Sequence, residues 1–292
     1  MKYNITHITC YDYGAPVSVS HHVARLTPRS LPFQKCHSHE LKISPSASVL
    51  RKHTDHFGNQ FRFFSLQTPH DTLEITSSSL VEVWAGDMPD ASITPAWRDV
   101  RNDFLEEIWS EDPGFQEFIY PSPFVPKNSE MAGYAAESFH PDQPFLECVL
   151  GLTGRIHSDF SYDPRATTVA TPITDVWKTR RGVCQDFAHL QIACLRSLGI
   201  PARYVSGYIE TLPAPGSARL AGADASHAWL SVFCPKFGWV DLDPTNNLIP
   251  STRHITVAWG RDFADVSPVR GVILGGHIQV LKVSVDVVPT EE

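Results

Sequence analysis

Several things are missing from this 292-residue chain, and each absence removes a class of function. No run of about 18 apolar residues occurs, so no transmembrane helix is expected. The opening stretch, Met1 to Gly14, lacks the continuous apolar core of a secretory signal, which points to the cytosol. There is no CxxC pair to suggest a cysteine-based zinc site and no DxDxDG-like run to suggest a calcium loop. No basic block stands out, and the net charge is −8, from 24 basic against 32 acidic residues. Phosphate neutralisation needs clustered Lys and Arg, so nucleic acid and anionic membranes are poor partners for such a chain. Internal repeats and low-complexity tracts are absent as well.

What remains is ordinary globular composition, 42% hydrophobic and 19% charged, with enough length for one large or two medium domains. The six cysteines, Cys10, Cys36, Cys148, Cys184, Cys194 and Cys234, are irregularly spaced and are read as reduced thiols. Up to about residue 86 the chain reads as short strands. Tyr3, Ile5, His7 and Thr9 alternate; His21 to Leu26 gives a further short strand, Leu41 and Ile43 and then Val49 and Leu50 follow after turn residues, Gly58-Asn59 marks a hairpin turn, and Phe61 to Leu66 and Leu73 to Val83 complete a β meander. This pattern suggests a β-sandwich. Composition shifts at Gly86 to Pro95, which places a boundary between an N-terminal domain, 1–88, and a second domain, 89–292.

The second domain begins with helices. Trp97 to Trp109 has helical spacing, and Pro144 to Phe160 carries Phe145, Val149, Leu152 and Ile156 on one face. A helix over Cys184 to Leu198 is stopped by Gly199 and followed by Pro201. Strands then return at 202–209, 227–233, 238–243, 254–258 and 278–287. The fold class is therefore α+β: an all-β region followed by a helical and β-rich catalytic domain.

Three segments place reactive side chains where acyl transfer needs them. Cys184 opens a helix, whose positive end stabilises charge developing on sulfur or oxygen, and its backbone N–H has no partner within the helix. Gly182 lets the backbone come close to a substrate. His227 opens a strand and is the usual kind of base for a thiol. Asp241 and Asp243 both end the next strand on one face, and either could orient the imidazole; periodicity does not choose between them. Cys194, amid apolar neighbours, is read as a core thiol.

Taken together, GVCQDFAH at 182–189, RYVSGY at 203–208, SHAWLSVF at 226–233 and GWVDLDPT at 238–245 resemble the transglutaminase-like superfamily. The resemblance implies a papain-like core, with the Cys-bearing helix packed on an antiparallel sheet, and selects Asp243, before Pro-Thr, as third member of a Cys184, His227, Asp243 triad. YNITHITCYDY, RLTPR at 25–29, DHFGN at 55–59 and HDTLEITSSSLVEV at 70–83 are similar to the β-domain that precedes that core in bacterial members, and GRDFADVSPVRGV at 260–272 is similar to them too. The chemistry implied is thioester formation from an amide, resolved by water or by an amine, with no cofactor and no metal. A peptide or protein amide hydrolase is the leading reading. A transamidase and a non-catalytic peptide-binding scaffold are the alternatives.

Weaker features complete the reading. Trp177 and Gln185 are candidates for a second oxyanion donor. Asp186 and His189 are neighbours on one helix and either support the site or form a local pair. Cys36, His37 and His39 resemble a fragment of a metal site. The Pro- and Gly-containing stretch at 211–224 could cover the cleft, and Arg261, Asp262 and Arg270 either line it or form structural ion pairs.

Overall fold

A computed structural model describes residues 1–86, 88–106, 113–211 and 225–290. The N-terminal region is built on one long strand, β1 (Lys2–Ala24), with β2 (Gln34–Ser44), β3 (Val49–Thr54), β4 (Gln60–Leu66) and β5 (His70–Val83) in the order β2-β5-β1-β4-β3. The first half of β1, through Asp12, pairs with β5, while Ser20 to Ala24 pair with β4. Between these halves the register shifts, and Gly14 takes φ +64°, a conformation that costs a glycine little. The sheet therefore curls on itself, and the sandwich expected from the turn pattern is one continuous seven-stranded sheet. Tyr13, Val17, Phe64, Leu66, Leu73 and Ile75 fill its own core.

The helical part follows: α1 (Trp97–Leu105), α2 (Ser129–Ala136), α3 (Phe145–Asp159), the short β6 (Ser161–Tyr162), α4 (Ile173–Thr179), β7 (Arg181–Gly182) and α5 (Cys184–Ser197). On α3, Phe145, Val149, Leu152 and Ile156 are all fully buried, as their spacing predicts. Residues Gln185 to Arg196 of α5 are buried on every side, which makes it the central helix of the core.

Next come β8 (Ala202–Ile209), β9 (Ala225–Cys234), β10 (Gly238–Leu242) and β11 (His254–Gly260), an antiparallel sheet in the order β10-β9-β8-β11, and α6 (Phe263–Val266). Ala202, Tyr204, Ala228, Leu230 and Val232 alternate along β8 and β9 into the core shared with α5. This is the α+β architecture anticipated from the sequence. The chain then returns: β12 (Val269–Gly275) and β13 (Val280–Pro289) pair antiparallel with β1 and complete the N-terminal sheet. Two buried bonds tie that sheet to β8 and its end, His7 Nδ1 to the Tyr208 hydroxyl at 3.0 Å and the Tyr3 hydroxyl to Glu210 at 3.1 Å. No helix among the described residues is long and apolar enough to cross a membrane.

Candidate active site

Cys184 is the first residue of α5 and half-buried, whereas Cys148, Cys194 and Cys234 are buried; all six cysteines are free. The helix start is fixed by Asp186, whose Oδ2 accepts the Val183 N–H at 2.9 Å and the Thr167 hydroxyl at 2.6 Å. Gly182 has a local reason: a Cβ there would stand 2.7 Å from Asp186 Oδ2, so the glycine makes room for the cap.

His227 lies on β9 and Asp243 just past the end of β10. His227 Nε2 donates to Asp243 Oδ2 at 2.7 Å, in surroundings where Asp243 is fully buried and His227 is 8% exposed. The Cys184 thiol lies near enough to the His227 ring to favour its charged form. Burial pulls the imidazole towards neutrality, but the hydrogen bond to Asp243 and the charges of Cys184 and Asp243 outweigh it, holding His227 at about 10. Burial likewise pushes Asp243 up, and is overcome by the hydrogen bonds from His227 and His254, so its carboxyl sits well below the usual range.

Asp243 receives five donors. Oδ1 takes the backbone N–H groups of Thr245 and Asn246, an Asx turn that fixes the carboxylate plane. Oδ2 takes His227, the Asn246 side chain at 2.7 Å and His254 Nε2 at 3.1 Å. Asp241 instead accepts the Trp229 indole N–H at 3.1 Å and the Ser231 hydroxyl. Both aspartates thus reach side chains of one β9 face, yet only Asp243 meets the histidine.

Sequence reasoning missed His254 and Asn246. His254 is two strands from His227, because β8 lies between β9 and β11. Only the strand order reveals this, although Gly207 in the RYVSGY segment is a signal in retrospect. Gly207 pairs with His227, and a Cβ there would lie 2.5 Å from the Trp229 ring and 2.1 Å from the Ile255 carbonyl. Its bareness lets Trp229 cross β8 to pack edge-on against His254, with centroids 5.3 Å apart. His227, Asp243 and His254 also present three metal-ligand atoms within 4.8 Å of one another, the one such group among the described residues. Their distances are those of two N–H donors sharing one carboxylate oxygen.

The weaker features separate. Trp177 gives its indole N–H to Glu130 at 2.7 Å, whereas Gln185 reaches the Val169 carbonyl only at 3.4 Å. Asp186 and His189 do not pair; His189 accepts the Phe263 N–H and stacks between Phe124 and Tyr204. His37 pairs with Glu82, and His39 with Thr27 and Ser77, rather than with one another. Arg261 pairs with Asp265, and Asp262 caps α6 and holds the Phe124 N–H. Of the covering stretch at 211–224, residues 212–224 lie outside the described residues.

Residues 3–82 match the bacterial transglutaminase-like N-terminal region, and residues 133–244, which contain all three candidate residues, match the transglutaminase-like superfamily core. An uncharacterised protein of Mycobacterium tuberculosis is 41% identical over 298 residues, covering 99% of this chain and 93% of that protein. One from Mycobacterium leprae is 32% identical, covering 98% of each. A protein-glutamine gamma-glutamyltransferase of Pseudomonas aeruginosa is 36% identical over 108 residues, which is 34% of this chain and 16% of that enzyme. Among solved structures, a candidate cysteine protease from Cytophaga hutchinsonii shares the fold, with TM-score 0.76 at 22% identity over 100% of this chain and 92% of that one. The chain belongs to the transglutaminase-like superfamily.

Proposed function

We propose that the protein is a thiol-dependent hydrolase of peptide or protein amides, working through Cys184, His227 and Asp243. The observation that carries this reading is the arrangement itself: a half-buried thiol at a helix start, near an imidazole that a buried carboxylate holds at 2.7 Å. His227 takes the Cys184 thiol proton, the thiolate Sγ attacks the amide carbonyl, and the Cys184 backbone N–H stabilises the developing oxyanion. His227 passes the proton it holds to the leaving amine, which departs and leaves a thioester. Water then attacks the thioester while His227 takes its proton, and the acid and thiol are released. Asp243 stays ionised throughout, and its Asx turn keeps the imidazole in one orientation.

The resemblance of 108 residues of the chain to a gamma-glutamyltransferase favours a second outcome of the same thioester, attack by an amine. A single assay separates the readings: amide substrates are screened with and without a primary amine. Free acid as the main product supports hydrolysis, and amine incorporation in excess of hydrolysis overturns it in favour of transamidation. Iodoacetamide labelling near neutral pH tests the nucleophile independently. Cys184 is expected to react well ahead of Cys10 and Cys36, and equal rates would argue for a scaffold that keeps the residues without using them.

A further inference from the structure

On the face of the β10-β9-β8-β11 sheet turned away from α5 lies a cleft of about 850 Å³. Arg203 and Val205 form its floor, alternating with the Ala202 and Tyr204 side chains that face the core. Its walls are aromatic: Phe33 and Trp84 come from the N-terminal region, Trp239 and Trp259 from the sheet. Trp84 is 41% exposed at the rim, an apolar surface open to a ligand. Cys184 is not among the lining residues, so this is a different place from the acyl-transfer site, although His254 belongs to both.

Arg203 makes the cleft more than a gap between aromatic rings. It is 9% exposed, and its guanidinium lies between two indoles, with its central carbon 4.3 Å from the Trp239 ring and 3.8 Å from the Trp259 ring. Its Nε is buried with no hydrogen-bond partner. The nearest carboxylate, Asp241, has its oxygens engaged by Trp229 and Ser231. A buried guanidinium nitrogen without an acceptor is costly, and burial pulls this group down to about 9 despite the Asp241 charge. With both faces covered by indoles, only the edge of the fork is left, which is the edge that carboxylates bind.

We propose that this cleft binds a carboxylate carried on an aromatic or bulky apolar group, with Arg203 accepting the anion and the tryptophans packing the apolar part. Such a group occurs in a free aromatic acid and at the C-terminus of a peptide ending in a large apolar residue. Calorimetric titration of the full chain distinguishes them. The probes are N-acetyl-tryptophan and a tetrapeptide ending in Phe with a free carboxyl, each alongside its amide. Both acids, or one of them, should saturate the protein, with the matched amide about tenfold weaker or more, because it lacks the charge; the tighter acid identifies the source. Arg203→Met should abolish the preference for acid over amide. Trp84→Ala, a rim change that leaves the core intact, should weaken acid binding severalfold and carries the test should Arg203→Met fail to fold. Equal affinity for acid and amide, no saturation by either acid at about millimolar concentration, or wild-type binding by Trp84→Ala or by folded Arg203→Met would overturn the proposal.

Discussion

His7 and His22 of the curled N-terminal sheet and His227 of the sheet beside α5 are all buried and oppositely tuned. His7 and His22 are 2% and 4% exposed, His227 8%. His7 and His22 are pulled down by burial to about 4, whereas His227 is held at about 10. Partner chemistry makes the difference. His7 meets only the hydroxyls of Tyr208 and Thr9, and neither ring nitrogen of His22 has a partner. His227 meets a buried carboxylate and a thiol. Desolvation acts on all three alike, and only a charge within hydrogen-bond distance reverses it.

The sharpest way to break this contrast is to remove the reactive pair. Cys184→Ser and His227→Ala should each lower amide turnover by about 10³-fold or more, measured in the substrate screen. His7→Gln, at a site just as buried, should leave turnover of the folded protein within about twofold; a comparable loss there would deny the core histidine its special place. Next in size is Asp243→Asn. Without the carboxylate, burial dominates at His227, and its titration followed by NMR should move well below 10, with turnover falling by about 10²- to 10⁴-fold. The signs for stability follow from the same shifts. Because His227 is raised, its contribution is full below about pH 6.5 and fades as pH rises towards 10. Because Asp243 is depressed, its contribution holds above about pH 4 and is lost below. In Asp243→Asn, both limbs should flatten in denaturant titrations across pH.

Local periodicity made much of this architecture legible. The stripe on α3, the Gly199-Pro201 stop after α5 and the strand Ala202–Ile209 are all local patterns, and the structure has them where the spacing predicts. Longer-range relations were hidden. The alternation at Tyr3 to Thr9 and the strand at His21 to Leu26 read as two elements, yet β1 runs through both, with a register shift next to Gly14. The return of β12 and β13 to β1 leaves no mark in a window of a few residues. The site divides in the same way. Cys184 at a helix start and His227 on a strand were readable as chemistry, but alternation left Asp241 and Asp243 level, and resemblance to a family selected Asp243. The structure gives the geometric distinction, with Asp241 holding Trp229 and Asp243 holding His227. His254 was invisible because its place beside His227 depends on strand order alone.

His254 offers a smaller perturbation that sharpens the comparison. It is the second imidazole on Asp243 Oδ2, at 3.1 Å, and part of what keeps that carboxyl low. His254→Leu should cost about 1–3 kcal/mol of stability for a buried acceptor left short of a donor, and about tenfold in turnover as Asp243 holds the ring less firmly. His254→Gln, which keeps a donor, should recover part of both. A loss of stability with turnover unchanged would make His254 a packing residue only.

The N-terminal sheet responds to pH with the sign opposite to that of His227. His7 and His22 are depressed, so the stability they contribute is present above about pH 6.5 and is lost as pH falls through that value towards 4. Hydrogen exchange should therefore show β1 and β4 losing protection over that range while the His227–Asp243 pair is still intact. His22→Phe isolates the cause. The imidazole already stacks on Phe64, with centroids 4.9 Å apart and planes 19° from parallel, and neither of its nitrogens is hydrogen-bonded. The ring also stands against Gly271, where a Cβ would come within 2.2 Å of Nδ1, so the pocket accepts a flat ring and little else. A phenyl ring occupies nearly the same space without two stranded polar atoms. It should add about 1 kcal/mol at neutral pH, and remove part of the acid-side loss, because nothing at that position is then left to protonate.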